Sequence, residues 1–170
     1  AIDFLRKKGI AKAEKKAGRQ AEQGTVLSYI HPGNRIGVLV EVNCETDFVA
    51  KTDDFLNLAR NIAMQIAATN PMSLDRDSID QTKLEKEKEI LLEQAKSSGK
   101  PESILDKIVD GRIEKYFQEN CLLEQPYIKD ADKSVQDILT ESIATLGENI
   151  SIARFARFEV GDNSNLNNSQ

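Results

Sequence analysis

The sequence contains no tryptophan, one histidine and two cysteines, and aromatic residues make up only 5% of its 170 residues. Each scarcity excludes something. Single-strand nucleic-acid binders need rings on which bases stack, and six Phe with three Tyr are a thin supply. The two cysteines, Cys44 and Cys121, cannot make a disulfide framework, and they point to a reducing compartment. No apolar run approaches the roughly 20 residues of a membrane helix. The first residues lack the charged and greasy regions of a secretory signal. Because the chain opens on Ala1 rather than Met, we expect a segment to have been removed upstream.

Positive charge is also short. The formal net charge is −5 and uneven: residues 1–25 carry seven bases against three acids, and the rest sixteen bases against twenty-five acids. An acidic body repels phosphate backbones, which argues against a direct nucleic-acid partner. The basic start reads as a solvated helix or linker in preference to a nucleic-acid arm. What remains is 39% hydrophobic and 30% charged, enough for one compact unit burying about 70% of its extended surface.

Periodicity changes along the chain. Residues 1–20 read as helix and connector, interrupted by Gly9 and Gly18. Thr25–Ile30 is β-rich, Pro32-Gly33-Asn34 supplies a turn, and Arg35–Asn43 alternates with Ile36, Val38, Val40 and Val42 on one face. That pattern predicts an antiparallel hairpin with one buried face. Thr52 then caps a helix whose stripe is Phe55, Ala59, Ile62, Ala63 and Ile66. A charged helix over 79–97, with Leu84, Leu91, Leu92 and Ala95 as its seam, is broken by Ser98-Gly99-Lys100-Pro101. The next helix runs to about Cys121, and so short a connection predicts a protruding antiparallel helical hairpin. Residues 125–128 suit a short edge segment. Ser134 opens a last helix that Gly147 stops, and Ile150–Val160 reads as a strand with Ile152, Ala156, Phe158 and Val160 on one face. Residues 161–170 are Asn- and Ser-rich and are expected to be disordered. The order predicts an α+β fold, a small antiparallel β-sheet backed by helices.

Catalytic chemistry is hard to find. His31 sits beside a turn with no partner near it in sequence. Cys44 and Cys121 match no zinc spacing and read as inert buried thiols. Asp75, Asp77 and Asp80 lack the glycine and glutamate of a calcium loop. Gly99-Lys100 lacks the rest of a phosphate loop. We therefore expect no enzyme, no cofactor and no metal site. The segment Cys44–Lys51 is longer than a strand-to-helix connection needs. On pattern alone it reads as a short helical turn with Thr46 or Asp47 capping it and Phe48 plugging the core. The other reading is a rim that presents an aromatic ring to a partner.

At this segment the chain resembles a known family. Asn43-Cys44-Glu45-Thr46-Asp47-Phe48-Val49-Ala50-Lys51 is similar to the signature of elongation factor Ts, the exchange factor for the translational GTPase elongation factor Tu. Ala1–Gly9 resembles the end of that family's N-terminal helical domain. Ser98–Pro101 with Val109-Asp110-Gly111-Arg112 resembles its helical arm, and Arg157–Gly161 its closing strand. The likeness implies residues 1–23 as the remnant of a ubiquitin-associated-like domain and its linker. Residues 24–160 would be one core module with the hairpin at 79–121, as in short cyanobacterial and plastid forms.

The resemblance further implies guanine-nucleotide exchange on elongation factor Tu, with Thr46, Asp47, Phe48 and Val49 disturbing the partner's magnesium and phosphate site. It implies a bacterial cytoplasmic location or a plastid stroma, no membrane, and room for a homodimer. Two rival readings stand beside it. One is a scaffold docking translation components through the hairpin without exchange. The other is an RNA-binding accessory using residues 1–25.

Overall fold

Strand β1 (Gln23–Ile30) runs antiparallel to β2 (Ile36–Cys44) in a computed structural model that describes residues 1–162. Between them His31 donates its N–H to the Ile36 carbonyl at 2.9 Å, and Gly33 and Asn34 take the positive φ angles (99° and 59°) that close the turn. Strand β5 (Ser151–Glu159) pairs antiparallel with the other edge of β2, giving the order β1-β2-β5. Gly24 is required where β1 meets β2, because a Cβ there would lie 2.2 Å from the Val42 carbonyl oxygen.

The alternation of β2 is realised as expected. Val38, Val40, Val42 and Cys44 are buried, and helix α3 (Asp53–Thr69) packs on this face. Thr52 caps α3 by accepting the Phe55 N–H, an interaction worth about 1 kcal/mol. The helix buries Phe55, Leu58, Ala59, Ile62, Ala63, Ile66 and Ala67, so its 3.6-residue stripe and the two-residue stripe of β2 meet in one core. Helix α6 (Val135–Leu146) adds buried Leu139 and Ile143. Helix α1 (Ile2–Glu14) lies against α6, with Gly9 close to Ala144 and Arg6 paired to Asp137 at 3.2 Å.

Strand β5 departs from its expected face. Its register jumps at a bulge, with Glu41 opposite Arg154 but Val42 opposite Ile152, so Ala153 is the extra residue. Beyond it the parity inverts. Phe155 and Arg157 turn inward, while Ala156 and Phe158, assigned to the buried face by simple alternation, are exposed. Arg154, awkward in the sequence pattern, points outward and pairs with Glu41 at 3.0 Å. Arg157 is accommodated inside because its Nε and Nη2 donate to the Ala67 carbonyl at 3.2 and 3.0 Å, near the negative end of α3. The outward face of the sheet carries Val26, Ile30, Leu39 and Phe158 in water.

These elements form one compact unit, drawn from residues 1–70 and 136–162; residues 71–135 form a second. The second unit is built on helices α4 (Gln81–Ser97) and α5 (Glu102–Asn120), antiparallel across the Ser98–Pro101 break, where Gly99 adopts φ 72°. Asp80 caps α4 by accepting from Thr82 N and Lys83 N. Pro101 stands at the cap position of α5 rather than inside its first turn. Ile79, Leu84, Ile113, Phe117 and Cys121 form the buried cluster at one end of the pair. There Arg76 lies 4.5 Å over the Phe117 ring and donates to Glu114 and Glu124, so each long side chain shields the other. The edge segment expected at 125–128 is half of a small hairpin, β3 (Pro126–Tyr127) with β4 (Asp130–Ser134). Of the tail expected to be disordered, residues 163–170 lie outside the described residues; Asp162 closes a turn onto the Glu159 carbonyl. Among the described residues no helix is long and apolar enough to cross a membrane.

Candidate functional site

The strand β2 ends at Cys44 and α3 begins at Asp53, and between them lies a four-residue helix, α2 (Asp47–Ala50). So short a helix cannot hold itself, because nucleation costs more than one turn of hydrogen bonds returns. Its caps therefore decide whether it exists. Thr46 is extended (φ −123°, ψ 153°) and its Oγ1 accepts from the Val49 N–H at 3.3 Å. At the other end Thr52 donates its hydroxyl to the Val49 carbonyl at 2.7 Å while accepting from Phe55 N. One threonine thus closes α2 and opens α3, and the two helices are locked in sequence.

The four residues singled out by the resemblance are brought together on this turn, each in a different setting. Ala50, next along, is buried and pins the helix to the core. Val49 is half-buried, and Asp47 is exposed with an i,i+4 contact to Lys51 at 3.7 Å. Phe48 is 84% exposed. The short capped helix expected on pattern alone is present, but the core plug is not: the ring stands in water. Leaving a phenylalanine out of the core forgoes about 1.5–3 kcal/mol of burial, so folding does not explain its place.

Beneath the turn, the buried Cys44 donates its thiol to the Thr46 carbonyl at 3.1 Å. Burial, and then the nearby Glu148 carboxylate, push that thiol above its ordinary pKa, which keeps it protonated as a donor. Glu148, in the connection between α6 and β5, reaches across to the same place. Its Oε1 accepts from Glu45 N at 3.1 Å and Thr46 N at 3.0 Å, and its Oε2 accepts the Thr46 hydroxyl at 2.7 Å. Glu45 returns the contact, accepting from Asn149 N at 2.8 Å and pairing with Arg19 at 3.0 Å. Glu45, Glu148 and Asn149 escaped sequence reasoning. The signal available was Gly147, whose positive φ (77°) turns the chain from α6 so that the next carboxylate faces back.

The remaining candidates lie elsewhere and serve the fold. His31 Nδ1 is 3.0 Å from the Tyr29 hydroxyl on an exposed loop. Asp75 accepts from Ser78 N and Asp80 caps α4, so two of the three carboxylates of the rejected calcium loop act as local caps. Cys121 is buried, its thiol pushed up in pKa by that burial and contacted by the Ser73 hydroxyl. The turn itself offers an exposed ring with a carboxylate beside it.

The chain is similar to known proteins over most of its length. Residues 10–162 match the family model described as Elongation factor TS. The chain is 64% identical over 162 residues to elongation factor Ts of Syntrophomonas wolfei subsp. wolfei, covering 95% of this chain and 76% of that protein. It is 62% identical to elongation factor Ts of Thermoanaerobacter sp. strain X514, covering 95% and 79%. Against the elongation factor Ts of Caldanaerobacter subterraneus subsp. tengcongensis the identity is 61%, covering 95% and 81%. On a match this extensive, the chain belongs to the elongation factor Ts family of translation elongation factors.

Proposed function

We propose that this chain acts as a guanine-nucleotide exchange factor for elongation factor Tu, with the Thr46–Val49 turn as its working element. The observation that carries this is the Phe48 ring, 84% exposed on a helix capped at both ends. In this reading Phe48 is a wedge between packed elements of the GTPase. Asp47 brings a carboxylate beside it, Thr46 holds the turn, and Val49 anchors its inner side. Disturbing the partner's magnesium removes the main neutralising charge on the diphosphate, whose affinity then falls. No bond is made or broken, so the chain is a binding protein and not an enzyme. The compartment implied by the bacterial relatives is the bacterial cytoplasm.

Turnover separates exchange from scaffolding. A tenth of a molar equivalent of the chain, added to elongation factor Tu loaded with fluorescent GDP in excess unlabelled GDP, is expected to speed release from the whole pool. Binding without acceleration would replace exchange with the scaffold reading, through the α4–α5 hairpin. Binding to RNA that vanished with salt and with removal of residues 1–25 would favour the RNA-binding reading.

A further inference from the structure

Taking the turn as the exchange element proposed above, we infer that Glu148 is its positioning residue, the side chain that sets where the Phe48 ring stands. The N–H groups of Glu45 and Thr46 fall after the β1–β2 ladder has ended and before α2 has begun. Neither strand nor helix supplies them with an acceptor, and half-buried N–H groups need one. In a capping box the third helical residue would be Glu or Gln and would reach back to the cap's own N–H. Here that position is Val49, which has no acceptor in its side chain. Glu148 completes the box from 102 residues away, with one oxygen on the Thr46 N–H and the other on the Thr46 hydroxyl.

The second contact is the informative one. By accepting the hydrogen bond of the Thr46 hydroxyl, Glu148 leaves an oxygen lone pair of that hydroxyl aimed at Val49 N, at 3.3 Å. The rotamer of Thr46, the axis of α2 and the direction of Phe48 then follow from one carboxylate. Glu148 is itself held. Gly147 donates its N–H to Ile143 at 2.9 Å as α6 ends, Asn149 N donates to Glu45, and Asn149 Nδ2 donates to the Arg19 carbonyl at 2.8 Å. A ring displayed this way is ordered before a partner arrives, so association does not have to supply that order.

The test uses Glu148→Gln and Glu148→Ala in two backgrounds, the native chain and Phe48→Ala. Glutamine keeps the size and one carbonyl oxygen but cannot keep both oxygens as acceptors; alanine removes all three contacts. With Phe48 present, either variant is expected to slow the maximal release of fluorescent GDP from elongation factor Tu at least tenfold. In the Phe48→Ala background the same substitutions should change release less than twofold, because their route to the partner is already gone. Unchanged release with Phe48 present, or equal losses in both backgrounds, overturns the inference. Should the alanine variant fail to fold, the glutamine variant decides. Amide hydrogen exchange at Glu45, Thr46 and Val49 reads positioning without the partner: at least threefold faster exchange is expected, and unchanged protection overturns the assignment. If the native chain itself fails to accelerate release, the exchange reading falls, and the amide measurement still judges Glu148.

Discussion

Two phenylalanines seven positions apart have opposite duties. Phe55 is fully buried under the sheet, and truncating it to alanine is expected to cost about 3–5 kcal/mol of stability. Phe48 is exposed, so Phe48→Ala should leave the thermal melt in place. The same variant should slow GDP release from elongation factor Tu at least tenfold, a coupling of about 1.4 kcal/mol. A melt lowered as far as that of Phe55→Ala would return Phe48 to the core and end its assignment as a wedge. Periodicity could not separate the two rings, since both sit where a helix begins beside a buried strand. The length of the Cys44–Lys51 connection allowed an exposed ring, and the resemblance of the surrounding nine residues favoured it. Gly147 is the one local sign of Glu148 and a weak one, because a glutamate after a helix-stopping glycine reads as solvated until the turn 102 residues earlier is placed beside it.

Among the elements, the second unit depends on a charged clasp at one end of its helical pair. Arg76 holds the Glu114 carboxyl below its ordinary value of 4.5, mainly through their hydrogen bond. Glu124 and then Glu114 raise the guanidinium pKa in return. In the carboxylate range the folded chain therefore binds fewer protons than the unfolded one, so this contribution rises with pH. It is complete above about 4.5 and lost as pH falls through the folded value. Arg76→Gln is accordingly expected to lower the urea midpoint at pH 7 by more than at pH 3. An equal deficit at both would mean that Arg76 acts through its contact with the Phe117 ring and not through its carboxylate partners.

The same scale shows where elements were legible. Strands β1 and β2, the seam of α3 and the break between α4 and α5 are written in spacing and turn residues. The bulge at Ala153 is not, because alternation carries no mark of an inserted residue, and every face beyond it reads backwards. Strand β4, Asp-Ala-Asp-Lys-Ser, has no β-branched or aromatic residue to announce it. Its pairing with β3 comes from the fold.

For the molecule as a whole, exchange is a statement about linkage. If the chain lowers the affinity of elongation factor Tu for GDP by some factor, GDP must lower the affinity of elongation factor Tu for the chain by the same factor. Calorimetric titrations with and without GDP should give two dissociation constants whose ratio matches the loss of nucleotide affinity measured independently. Equal dissociation constants with and without GDP would mean that chain and nucleotide are uncoupled, and would end the exchange reading. The expectation is independent of which residues make contact, and it needs no chemistry from the chain.

The mutual grip of Glu45 and Glu148 means that the nine-residue signature is a word whose meaning is stored elsewhere. A synthetic peptide of Asn43–Lys51 would hold every letter of it and display none of its shape. A chain ending before Glu148 would keep the whole word and lose the carboxylate that caps it, together with strand β5.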